Sequence, residues 1–196
     1  MQHTENNMDY IFEVANLVGK TPKPMLSPAA PDEKVVFGAR MPGYGARSIP
    51  ESVVRKWISF MIDNGIRRVC CLLPQSQLGY YEIDLLEVYR EAFGVERFCW
   101  VPMIDYYLCS ADVLNKALDF FSESDMKGEP VVVHCAGGRG RTGLVLAAWL
   151  VFGRAFTVED ALQTVRLMRR NPYEAVEQGH ATINDLQELL RMCQIK

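Results

Sequence analysis

Between His134 and Gly143 the chain places a thiol (Cys135), a guanidinium (Arg141) and a hydroxyl (Thr142) around a loop in which three of five residues are glycine. The β-branched run Val131-Val132-Val133 leads into Cys135, and an apolar helix follows from Leu144. The loop Ala136-Gly137-Gly138-Arg139-Gly140 can wrap with its backbone N–H groups inward, a concavity suited to a tetrahedral oxyanion. Arg141 re-enters from the helix start as a planar fork that matches two phosphate oxygens. The N–H groups, the helix dipole and the guanidinium together favour a thiolate at Cys135. His134 is expected to order the loop through hydrogen bonds to backbone carbonyls. Thr142 is placed to donate its hydroxyl to the sulfur.

Other elements must hold that stretch in place. Val35–Phe37 reads as a first strand, Ile66–Leu73 as a strand buried on both faces, and Arg97–Val101 as the strand before the loop of Asp105. Helices are expected over residues 48–64, with Pro50 in the first turn and Val53, Val54, Trp57, Ile58, Met61 and Ile62 on one face, and over residues 82–93. Further helices are expected after Ser110 and over residues 142–152, 158–170 and 182–193, with Thr157 and Thr182 as caps. Strands alternating with helices give an α/β fold with a central, mostly parallel sheet flanked by helices. Ligands bind at the carboxyl edge of such a sheet. Asp105 and Cys135 both follow strands directly, so both belong at that edge.

Residues 1–33 are the least readable part, because Pro22, Pro24, Pro28 and Pro31 break regular elements there. They are assigned as an N-terminal extension, with Asp9–Val18 as a flap over the core, and residues 34–196 as the catalytic domain. A net charge of −3 argues against a surface that coats nucleic acid, so attraction for anions must be local. The polar start and the short apolar run from Leu144 to Phe152 leave no signal peptide or membrane span. Six irregularly spaced cysteines read as buried thiols in a reducing cytoplasm, and no ligand spacing for a metal is present. No cofactor is expected.

His134-Cys135-x5-Arg141-Thr142-Gly143 resembles the signature loop of the cysteine-dependent protein tyrosine phosphatase superfamily, in its dual-specificity-like branch. The similarity runs from about Arg40 to Leu190. It implies a phosphomonoester hydrolase in which Cys135 attacks phosphorus to form a phosphocysteine. Ala136 to Arg141 would hold the substrate phosphate, and Arg139 would point to the rim, where a base favours multiply phosphorylated ligands. Asp105, thirty residues before Cys135, would protonate the leaving oxygen and then activate water.

Asp112 reads as a helix-dipole partner, Asp84 as a poor acid candidate and His180 as surface polar. Arg169-Arg170-Asn171-Pro172-Tyr173 departs from the family's Arg-Pro-Gly segment, which puts a water-orienting role for Glu177 or Gln178 in doubt. Cys70, Cys71, Cys99 and Cys109 read as packing residues before redox partners of Cys135. The expected substrate is a phosphorylated protein, at tyrosine and also at serine or threonine, acted on by a monomer. The same chemistry on a phosphoinositide or an RNA 5′-triphosphate is the alternative, and a phosphate-binding module without turnover is the third.

Overall fold

A computed structural model describes residues 24–194. The proposed flap at Asp9–Val18 lies outside the described residues. Five strands form one sheet: β1 (Ser27–Pro28), β2 (Val36–Arg40), β3 (Arg68–Cys71), β4 (Phe98–Trp100) and β5 (Val131–Cys135). Their order is β1-β2-β5-β3-β4, with β1 antiparallel and the other pairings parallel. The α/β expectation holds, and β5 is central because its five residues are all buried and need cover on both faces.

Strand alternation divides the core in two. Val131, Val133 and Cys135 face the larger cluster, built on α4 (Ala111–Lys127), α5 (Gly140–Arg154), α6 (Val158–Leu167) and α8 (Ile183–Arg191). Val132 joins Val69, Cys71 and Leu73 in the smaller cluster, under α1 (Glu51–Asp63) and α3 (Leu85–Phe93). On α1, Val54, Trp57, Ile58 and Met61 are buried as the periodicity required, whereas Ile62 is exposed. The helix ends also follow local chemistry. Asp84 caps α3 by accepting from the N–H groups of Leu86 and Glu87, and Thr182 with Asp185 forms a reciprocal capping box on α8.

Three local expectations need amending. Prolines around residue 28 preclude a long element but not an edge pairing, and Ser27–Pro28 pairs with Phe37 and Gly38. Next to that strand, buried Glu33 accepts hydrogen bonds from Trp149 Nε1 (3.0 Å) and Arg154 Nε (2.9 Å), so this segment is tied to α5. Two single-turn helices, α2 (Gln75–Leu78) and α7 (Glu174–Glu177), carry too few residues to show a period. Finally, α5 begins at Gly140 rather than Thr142, so Arg141 already belongs to its first turn.

The parallel register brings the strand ends level. Arg40 lies beside Cys135 and Cys71 beside His134. Beyond β3, Leu72 N–H donates to the His134 carbonyl (2.9 Å), and Met103 N–H donates to the Leu72 carbonyl (3.1 Å). These bonds carry the chain after β4 back toward Cys135. All six cysteines are free thiols.

Candidate active site

Five consecutive carbonyls define the loop after β5. Met41 N–H donates to the carbonyls of Cys135 (3.0 Å) and Ala136 (3.2 Å), and Arg40 Nε donates to that of Gly137 (3.4 Å). Arg170 Nη1 donates to the Gly138 carbonyl. The Arg139 carbonyl accepts from Gly143 (2.8 Å) and Asn171 (3.3 Å). A trans peptide is planar, so each N–H points opposite to the carbonyl before it. Drawing five carbonyls onto outside donors therefore turns the N–H groups of residues 136–140 to the other side of the loop. Those of residues 136–139 meet no acceptor among the described residues. Gly138 must be glycine: its φ is +66°, and a Cβ would drive into the Ala39 carbonyl.

Cys135 ends β5 and is 2% exposed. Thr142 Oγ1 accepts from Cys135 N–H (3.1 Å) and donates to Cys135 Sγ (3.2 Å), so one hydroxyl ties the strand end to the first turn of α5. His134 meets the start of the loop at the Cys135 backbone. Alternation turns it to the opposite face, where Tyr89 hydroxyl meets its Nε2 at 3.0 Å and the Trp57 ring lies edge-on at 5.3 Å. Its Nδ1 is buried beside the Cys135 backbone. Burial pushes its pKa down to about 3, so the imidazole is neutral at physiological pH.

Arg141 is buried, and its fork is occupied. Nη2 pairs with Asp105 Oδ2 at 2.9 Å, while Nη1 donates to Gln77 Oε1 (3.0 Å) and the Met103 carbonyl (3.2 Å). Gln77 Nε2 in turn donates to Asp105 Oδ2 (3.2 Å). Asp105, Gln77 and Arg141 thus form a closed triangle at the carboxyl edge, drawn from three separate segments. The sequence reading named two of its corners and missed Gln77. The edge rule that singled out Asp105 applies equally to a polar residue just past β3, and that was the available signal.

The Asp105 loop is fastened. His180 Nδ1 donates to the Tyr106 carbonyl (2.9 Å), and the His180 ring stacks on Tyr107 at 4.0 Å and 6°. His180 is therefore a clasp on this loop and not an isolated surface group. Glu174 also lies against the site, beside Gly140. Burial, and then the charge of Asp105, raises its pKa above the ordinary carboxylate value. Glu177 accepts from Asn171 Nδ2 (2.7 Å) on the outer side of the loop, which makes Glu174 the carboxylate nearer the catalytic stretch.

Arg139 is exposed, as a rim position requires. Asp112 occupies the first turn of α4, consistent with a dipole partner. Cys70 and Cys71 are fully buried, with burial lifting the Cys71 thiol to about 12. Cys71 faces the smaller core cluster and Cys135 the larger one. No helix of the described residues is long and apolar enough to cross a membrane.

Comparison with known proteins adds the family. Residues 45–155 match the model of the family described as polymorphic toxin system, DSP-PTPase phosphatase. A phosphatidylglycerophosphate phosphatase of Arabidopsis thaliana, PTPMT1, is 28% identical over 112 residues, covering 57% of this chain and 30% of its own. Human tyrosine-protein phosphatase non-receptor type 20 is 33% identical over 124 residues, covering 58% and 29%. The chain thus spans less than a third of the length of either relative. The crystal structure of Tk-PTP in its active form superposes with a TM-score of 0.62 at 23% identity, covering 88% of this chain and 98% of that one, a likeness of fold.

Proposed function

The chain belongs to the DSP-PTPase phosphatase family, and on that premise we propose that it hydrolyses phosphomonoesters of protein tyrosine, serine and threonine through a phosphocysteine. The observation that carries this reading is the ring of outward-held carbonyls at residues 135–139, which leaves N–H donors beside a buried thiol.

In this reading a substrate phosphate seats on the N–H groups of residues 136–141 and takes the Arg141 fork. It competes there with Asp105, which moves toward the leaving oxygen and, once off the guanidinium, takes up a proton from solvent. Cys135 attacks phosphorus as a thiolate while the bond to the ester oxygen breaks, and Asp105 delivers a proton to that oxygen. The released carboxylate then takes a proton from water as the water attacks the phosphocysteine. Inorganic phosphate leaves, and the Thr142 hydroxyl receives the returning thiolate. Gln77 holds Asp105 and Arg141 at their starting distance. His134 is a positioning residue, which anchors the strand end from behind the sheet through Tyr89.

The phosphoinositide reading has its own support in the similarity to PTPMT1. Rates of phosphate release separate the two. The protein reading expects phosphopeptides to exceed phosphoinositides in kcat/KM. Faster turnover of the lipid reverses that choice, and no release from any ester rejects the enzyme.

A further inference from the structure

The stretch that carries Asp105 is tied down at one backbone position. Before it, Met103 is buried and its N–H donates to the Leu72 carbonyl (3.1 Å); after it, Leu108 packs on the larger core cluster. Between them Ile104, Tyr106 and Tyr107 are exposed. Among the described residues, the bond from His180 Nδ1 to the Tyr106 carbonyl (2.9 Å) is the only one that joins the backbone of residues 104–108 to another segment. Tyr106 also has a φ of +65°, left-handed backbone that a residue with a side chain rarely adopts and that persists only with support from its surroundings.

The end of α7 sets the position of His180. Gly179 (φ +76°) stops that helix: its N–H donates to the Val176 carbonyl (3.0 Å), and His180 N–H donates to the Ala175 carbonyl (2.9 Å). This pair of bonds fixes the residue after the glycine as well as the glycine itself. The helix is seated in turn, with Val176 on the larger core cluster and Glu174 beside Gly140 of α5. The imidazole then meets the acid turn twice, through its Nδ1 and through its ring, which lies parallel to Tyr107 at 4.0 Å and 6°. The crevice lined by Tyr106, Tyr107, Leu108, Arg141, Glu174 and Ala175 measures about 10 Å³, room for no more than one water. The acid turn therefore rests directly on α5 and α7.

We propose that His180 is a positioning residue for Asp105: by holding the Tyr106 carbonyl and the Tyr107 ring, it keeps the backbone after the acid stationary while the carboxyl turns from Arg141 to the leaving oxygen. The inference rests on the phosphocysteine reading above, in which Asp105 gives up its ion pair with Arg141 Nη2 (2.9 Å) and delivers a proton. Once that pair opens, the carbonyl held by His180 is the nearest backbone anchor along the chain. With the anchor in place, the reorientation is confined to the side-chain torsions of Asp105. Without it the left-handed turn relaxes, and an acid displaced by about 1 Å loses on the order of 100-fold in proton delivery. Cys135 and Arg141 keep their own partners in either case, Thr142 for the one and the Met103 carbonyl for the other.

The test measures kcat/KM of the full chain over a series of phosphate esters, from para-nitrophenyl phosphate to alkyl phosphates with poor leaving groups. His180→Ala should lose roughly 10- to 100-fold on the alkyl esters and less than about threefold on para-nitrophenyl phosphate, so that the dependence on leaving-group pKa steepens. His180→Asn, whose amide can donate where Nδ1 does, should recover most of the loss. His180→Phe, which keeps only the ring, should not. In an Asp105→Asn background, His180→Ala should cost nothing further. Equal slowing on all esters, or a loss that persists without the Asp105 carboxyl, overturns the inference, since His180 would then support the fold or the phosphate loop. Unchanged or faster hydrolysis of the alkyl esters also overturns it, because the clasp would then be dispensable or a brake. If His180→Ala does not fold, the contrast between His180→Asn and His180→Phe decides the matter alone. A steeper leaving-group dependence in Asp105→Asn with none in the His180 variants rejects this inference and keeps the reading. Its absence from Asp105→Asn rejects the acid role itself, and the inference with it.

Discussion

Two buried arginines flank the same loop, and they are built differently. Each is 3% exposed, and each leaves its Nε without a partner. Arg170 ends on three backbone carbonyls and one hydroxyl, supplied by Met25, β1, β2 and the loop itself. Arg141 ends on one carbonyl and on two side chains, Asp105 and Gln77. Both carry the same charge in similar burial. The difference lies in whether their partners are backbone or side chain, and in the proposed mechanism it would separate a strut from a binding group.

The largest expected contrast comes from cutting each arginine back to methionine. Arg170→Met removes hydrogen bonds to three carbonyls and a hydroxyl around a buried guanidinium, at ~1–3 kcal/mol each, so denaturant unfolding should report a loss of about 3 kcal/mol or more. Arg141→Met should leave stability far less changed. Its kcat/KM on aryl phosphates should nonetheless fall on the order of 10²–10³-fold or more, as expected for an electrostatic clamp on the transition state. Equal stability losses from the two variants would erase the distinction.

Asp105→Asn sharpens the same contrast from the partner's side. The amide keeps the shape but not the charge, so it competes less for the Arg141 fork. Turnover of alkyl phosphates should drop roughly 10²–10⁴-fold, and that of esters with good leaving groups much less. Inorganic phosphate should inhibit this variant more strongly than the parent. Uniform slowing for all leaving groups would contradict the acid role.

The effect that is smallest at neutral pH concerns the strand end behind both arginines. His134 has a folded pKa depressed to about 3 from the usual value near 6.5, because burial disfavours its charged form. Its contribution to stability is therefore complete above about pH 6.5 and is lost as pH falls toward about 3, at ~1.4 kcal/mol per unit. Unfolding curves across that window should flatten in His134→Asn relative to the parent. A slope unchanged by the substitution would mean that His134 is not buried neutral.

Much of this site could be read in the sequence because its central part is local. A β-branched strand, a cysteine, a glycine-rich turn and an apolar helix follow one another between Val131 and Leu150. Asp105 could be placed at the same edge because parallel sheets align the carboxyl ends of their strands. The groups that shape the loop were hidden for the opposite reason. Met41, Arg40, Arg170 and Asn171 come from distant segments, and nothing local marks their N–H groups as loop donors. Gln77 rides on a helix of four residues, and His180 meets Tyr107 only because α7 and the chain after it fold back over the Asp105 loop. The contacts of His134 with Tyr89 and Trp57 were hidden too. Adjacent strand residues face opposite ways, and the buried Cys135 on one face sends the histidine to the other.

The central claim is that Cys135 carries the phosphoryl group between substrate and water. Rapid acid quench of the chain during turnover of an aryl phosphate, followed by peptide mass spectrometry, tests it directly. We expect one phosphoryl group on the peptide containing Cys135, at higher occupancy in Asp105→Asn, where the water step is slowed, and absent from Cys135→Ser. Steady release of phosphate with no adduct on Cys135, or undiminished turnover by Cys135→Ser, would contradict the account.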